Sequence, residues 1–184
     1  MSKGFGKREN NVEKLKNNIL KSIRAKIKRA EETSTICFGL TEKKNQKIGQ
    51  KVTWELSQEY PELGFVFVTE NSYDFKNKFP MILISSEVPL NTLVSQSKVS
   101  GNWKVVVQPP GAIYPRTIVA YKDQEKAEAV ARSILPKVRN FDYQKWDSLA
   151  EKNQPLTEEF ILDDIPENED VYLDIKPNGE LEIV

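Results

Sequence analysis

Apolar positions in the first part of the chain repeat with the period of a helix. Val12, Leu15, Ile19, Ile23 and Ile27 lie three, four, four and four residues apart, and Ala30 continues the stripe. This spacing predicts one long amphipathic helix over residues 8–32. Residues 35–40 are short and apolar, as a strand is, with Cys37 inside as a buried packing residue. A second helix is predicted over residues 41–60, with Thr41 as N-cap, a stripe of Ile48, Val52 and Leu56, and Pro61 as the stop. Gly49 runs against that helix, because glycine lowers helix propensity.

Residues 64–69 and 79–85 are almost continuously apolar. Such runs predict strands covered on both faces and central in a sheet. In residues 88–100, Leu90, Leu93 and Val94 fit a short helix. Residues 103–108 and 113–122 read as a hairpin across Pro109, Pro110 and Gly111, and Pro115 places the second strand at an edge or a bulge. Tyr114, Arg116 and Tyr121 near that edge form a candidate aromatic-and-cation contact surface. Asp123 then caps a helix whose apolar face is Ala127, Val130, Ala131, Ile134 and Leu135, with Pro136 marking its end. A short helix around Trp146 follows over residues 141–152. At the C-terminus, Val171, Leu173 and Ile175 alternate with polar residues, Lys176-Pro177-Asn178-Gly179 makes a turn, and Leu181 and Ile183 resume the alternation. That is a β-hairpin whose apolar face needs a partner surface.

The elements predict an α+β fold, a single domain in which an antiparallel or mixed sheet is packed with helices. Its parts are a basic amphipathic helix (1–34), an α+β core (35–152) and an acidic C-terminal segment (153–184) ending in the hairpin. A length of 184 residues with 39% apolar and 29% charged composition is enough for a real core.

Charge changes the picture more than composition does. The whole chain is formally neutral, yet its first 30 residues carry ten Lys/Arg against two Glu, and residues 151–184 carry eleven Asp/Glu against two Lys. This asymmetry points to electrostatic engagement of a partner, or of one end by the other. The candidate contact residues on the first helix are Lys14, Lys16, Lys21, Arg24, Lys26, Lys28 and Arg29. On the second helix Lys44, Lys47 and Lys51 share a face, with Lys43 beside them. Phe160, Ile161, Leu162 and Ile165, set among acidic residues, are candidate apolar anchors.

The chain has no histidine and one cysteine. Ser-His-Asp and Cys-His nucleophilic sites, zinc-finger ligand sets and H-E-x-x-H are thereby excluded, as is an intrachain disulfide. The lone thiol fits a reducing, cytoplasmic setting. No phosphate-cradling glycine motif occurs, and no cofactor or metal is predicted. Apolar runs are too short to span a bilayer, and the first helix lacks the aromatic anchors of membrane-surface helices.

Three functional expectations follow. The first is a non-enzymatic cytoplasmic adaptor that meets the acidic surface of a protein partner through the basic helix, with the C-terminal segment as a second contact. The second is a nucleic-acid-binding protein whose acidic tail competes with the ligand. The third is a histidine-free, metal-dependent enzyme such as a nuclease, for which Asp74, Lys76, Asp123, Glu125 and Lys126 supply residue types.

Overall fold

A computed structural model describes residues 5–29, 35–69, 79–86, 89–152, 154 and 171–173. Residue contacts divide the chain into two compact units, Met1–Val88 and Pro89–Val184, each with its own antiparallel sheet. The α+β class stands. The division falls inside the stretch 35–152 that the sequence pattern groups together.

The first unit comprises α1 (Phe5–Arg29), β1 (Thr35–Gly39), α2 (Lys43–Glu59), β2 (Gly64–Val68) and β3 (Met81–Ser85). Its strand order is β1-β3-β2, with both neighbours antiparallel to β3. β1, α2 and β2 therefore form a split βαβ unit with β3 inserted between its two strands. Of the two apolar runs predicted to be central, only β3 is. β2 ends the order, yet Phe65, Val66, Phe67 and Val68 are each 4% exposed or less. Cover on both faces, rather than a central position, accounts for its composition.

The α1 stripe is buried at Ile19, Leu20 and Ile23 and half-buried at Leu15 and Ile27. From α2, Ile48, Val52 and Leu56 enter the same core. α2 starts at Lys43, with Glu42 in the cap position and no side-chain cap, so Thr41 does not serve as the predicted cap. Instead Gln46 Nε2 donates to the Leu40 carbonyl (2.9 Å) and ties the first turn to the end of β1. Gly49 is buried where α2 meets Leu40 and the Phe67 ring. A close approach of helix and sheet, not helix propensity, explains this glycine.

Cys37 is exposed, against the expectation of a buried thiol. Along β1 the exposed Thr35, Cys37 and Gly39 alternate with half-buried Ile36 and Phe38. The period-2 geometry of an edge strand puts the cysteine on the solvent side.

The second unit contains β4 (Thr92–Gln96), β5 (Trp103–Val107), β6 (Arg116–Tyr121), α3 (Gln124–Asn140), α4 (Tyr143–Glu151) and β7 (Val171–Leu173). The four strands form an antiparallel sheet in sequence order. The short helix expected around Leu93 is instead β4, paired with β5 from Thr92 to Gln96. Pro115 lies just before β6, which is internal to the sheet rather than an edge strand but does carry the expected bulge: Val105 faces Val119 and Val106 faces Thr117, so Ile118 is the extra residue. The β5–β6 turn is held by the Gln108 side chain, which donates to the Ala112 carbonyl (2.7 Å), and by Gly111 at φ +85°.

Asp123 caps α3 as expected, its carboxylate accepting from the Glu125 N–H (2.8 Å). Pro136 does not end α3, which runs on to Asn140. Pro136 is exposed, its carbonyl accepts from Asn140 Nδ2 (3.0 Å), and the following turn buries Val138 completely. Burial of that valine carries the helix past its breaker.

Trp146 on α4 is fully buried, donates from Nε1 to the Tyr114 carbonyl (2.7 Å) and meets Phe141 edge-on at 5.6 Å. The neighbouring Asp147 carboxylate accepts the Ile113 N–H (2.9 Å). Arg116 and Tyr121 are 8% and 1% exposed, so the suggested aromatic-and-cation surface is interior, with only Tyr114 partly outside. β7 realises the first strand of the predicted C-terminal hairpin and pairs with β6. The returning strand lies outside the described residues.

A candidate partner-binding face built by two basic helices

α1 and α2 pack side by side, and the pairs between them rise together in sequence. Lys16 Nζ reaches Glu55 at 3.3 Å, and the Arg24 guanidinium clasps Glu59 through Nε (2.8 Å) and Nη2 (2.6 Å). The two helices therefore run in the same general direction. Lys16 also pairs with Glu13 one turn earlier, at 2.7 Å. Each pair places a cation of α1 beside a carboxylate at the flank of the buried apolar stripe.

The sequence-predicted basic residues thus separate into two sets. Lys16 and Arg24 close the seam between the helices. Their charges are matched by Glu13, Glu55 and Glu59, which sequence reasoning did not connect to them. The Glu13–Lys16 spacing of three residues on one helix was the one readable signal. Hydrogen bonding from Lys16 holds the Glu13 carboxyl below the ordinary carboxylate range, and the same bond pushes the Lys16 ammonium up. The Arg24 guanidinium does the same for Glu59, and Glu59 in turn raises Arg24. These mutual shifts mean that the pairs stabilise each other's charged forms.

The second set stays open. Lys14 and Lys21 on α1 and Lys43, Lys47 and Lys51 on α2 are exposed. Lys14, Lys21, Lys43 and Lys47 have no ion pair among the described residues. Lys51 acts on Glu13 through space. Lys44 is exposed and pairs with Glu42 at 2.7 Å. Lys26 lies apart from both groups, its ammonium 5.1 Å from the centre of the Phe38 ring on β1. Residues 28 and 29 lie in the last turn of α1, and the side chains of Lys28 and Arg29 lie outside the described residues. Phe160, Ile161, Leu162 and Ile165 lie outside them as well.

The face therefore alternates: exposed lysines of α1, a seam of matched charges, then exposed lysines of α2. Lys43, Lys47 and Lys51 recur every four residues, which sets their backbone positions about 6 Å apart along the helix. Trp54, half-buried, follows Lys51 by three residues at the same flank.

Among the described residues no group of three or more His, Cys, Asp or Glu could hold a metal ion. Asp74 and Lys76 lie outside them, and Asp123 is occupied in capping α3. No helix of the described residues is long and apolar enough to cross a membrane. No protein-family model, curated protein or solved structure matches this chain.

Proposed function

We propose that this chain is a non-enzymatic, cytoplasmic adaptor that binds the acidic surface of a protein partner through the α1–α2 face. The observation behind this reading is the set of exposed lysines, Lys14, Lys21, Lys43, Lys47 and Lys51, that stays open while Lys16 and Arg24 are neutralised in the seam. Open ammonium groups on two packed helices present a fixed pattern of positive charge, and such patterns steer association and set register.

A second reading, nucleic-acid binding, draws on the four-residue repeat of Lys43, Lys47 and Lys51 beside Trp54, since phosphates are met by rows of cations and bases by aromatic rings. Glu55 and Glu59 favour the protein. Paired with Lys16 and Arg24, they make a neutral seam between the two lysine groups, so the face offers two separate cationic patches, which a folded protein can match one by one, rather than the continuous cationic track that a phosphate backbone follows.

Fluorescence anisotropy of the full chain tests the choice, with poly-glutamate, single-stranded RNA and duplex DNA as probes over a salt series. The adaptor reading expects poly-glutamate to bind, to be released by salt, and to be lost in Lys43→Glu/Lys47→Glu/Lys51→Glu. Tighter binding of either nucleic acid at equal ionic strength would move the assignment to the second reading.

A further inference from the structure

We propose that the open edge of β1 is where an extended acidic segment of the partner docks, adding itself as a strand to the β1-β3-β2 sheet. The inference rests on the reading that the partner is acidic, and it names the form in which that acidity arrives.

β1 pairs with β3 over all five of its residues without a bulge. On its other side no strand of the described residues pairs with it. Such an edge offers a row of backbone donors and acceptors to any extended chain. Edges that must stay single are blunted by charged side chains, proline or bulges. Thr35-Ile36-Cys37-Phe38-Gly39 has none of these.

The flanks of the edge define what fits. An added strand would place alternate side chains on the two faces of the sheet. On one face it would lie beside the half-buried Ile36 and Phe38, with the Lys26 ammonium over the Phe38 ring. On the other it would lie beside Thr35 and Cys37, which are small and exposed, and beside Gly39, over which the Phe79 ring is packed. The matching segment therefore carries an apolar residue and a carboxylate on the same face, two residues apart, with few demands on the opposite face. This is strand addition, in which main-chain bonds supply affinity and alternate side chains supply selectivity.

Charge decides between this occupant and a second copy of the chain. Two β1 edges paired about a two-fold axis would bring Lys26 of each copy, and the basic α1 behind it, toward each other. Like charges so placed oppose pairing, whereas an acidic strand relieves them.

The probe is a fluorescein-labelled peptide of about ten residues with alternating apolar and Glu positions, titrated against the full chain. Two N-methylated versions accompany it, one methylated on the odd-numbered residues and one on the even. An edge strand uses every second amide, so one version should bind about tenfold or more weakly and the other close to the parent. Lys26→Glu should weaken the parent peptide by a similar factor.

If both methylated versions bind like the parent while Lys43→Glu/Lys47→Glu/Lys51→Glu abolishes binding, the partner is acidic but does not dock at β1, and the inference fails alone. If the parent peptide and poly-glutamate both fail to bind, the two readings fall together. Failure of the parent peptide alone, or a dimer in sedimentation of the free chain that Lys26→Glu strengthens, also overturns strand addition.

Discussion

A methyl group added at Gly49 would lie 2.5 Å from Cε2 of Phe67 and 2.6 Å from Cδ1 of Leu40. Helix propensity alone would make Gly49→Ala stabilising by up to about 1 kcal/mol. Both neighbours are buried, so the overlap must be relieved by displacing packed side chains, at about 1–3 kcal/mol. Overpacking wins, and the variant should unfold at lower denaturant than the parent; a raised midpoint would show that the helix can move away from the sheet. Tyr121 presents the opposite case. It is 1% exposed, and its hydroxyl finds no hydrogen-bond partner among the described residues. Burying a hydroxyl unpaired costs about 1–3 kcal/mol, so Tyr121→Phe should leave stability unchanged or raise it. Burial also pushes the Tyr121 phenol from its ordinary 10.0 up to about 12. The folded state then keeps a proton that the unfolded chain loses. The corresponding stability is present in full below pH 10 and is lost as pH rises from there through about 12. The phenylalanine variant should gain on the parent across that interval in alkaline unfolding curves. A constant difference between the two would place the phenol in contact with water.

Helices were the legible elements, and the reason is length. α2 and α3 each repeat their apolar residues over several turns, so their faces were readable before any contact was known. β4 was misread because Leu90, Leu93 and Val94 sample little more than one helical turn, and pairing with β5 decides such a short segment. Pro136 misled in the same way, since a local breaker yields to the burial of Val138 two residues on. The basic character of α1 and α2 was legible too, but not its division. The partner of Arg24 lies 35 residues away, and only the parallel packing of the two helices brings Glu59 to it. That pair should behave as a surface clamp. With both side chains 40% exposed, a double-mutant cycle on Arg24→Gln and Glu59→Gln should give a coupling below about 1 kcal/mol, weakened by salt. Because Glu59 is held below the ordinary carboxylate range, its share of stability is present above that range and is lost as pH falls through the lowered value. Acid unfolding of Glu59→Gln should therefore show a shallower pH slope than the parent. Equal slopes would mean that the clasp does not persist in solution.

For the whole molecule, a net charge of zero hides two poles, and what a partner senses is the local field rather than the sum. Within the basic pole the structure separates lysines that face solvent unpaired from cations already matched in the seam. This separation has a kinetic consequence. Long-range attraction acts before contact, so it sets the association rate, and it fades as the Debye length shrinks from about 30 Å at 0.01 M salt to about 3 Å at 1 M. Lys47→Gln removes a charge with no counter-ion among the described residues. It should slow association with an acidic partner and flatten the salt dependence, with little change in dissociation. Arg24→Gln removes the same formal charge from a site where Glu59 cancels most of it, and it leaves that carboxylate uncovered on the same face. Its association rate should fall by a factor similar to the Lys47 variant's. In the double variant Arg24→Gln/Glu59→Gln it should recover to near the parent, because the pair as a unit contributes almost no field. Stopped-flow association of poly-glutamate with the four proteins separates these cases. If the double variant associates as slowly as Arg24→Gln alone, Arg24 meets the partner directly, and the seam belongs to the binding face rather than beneath it.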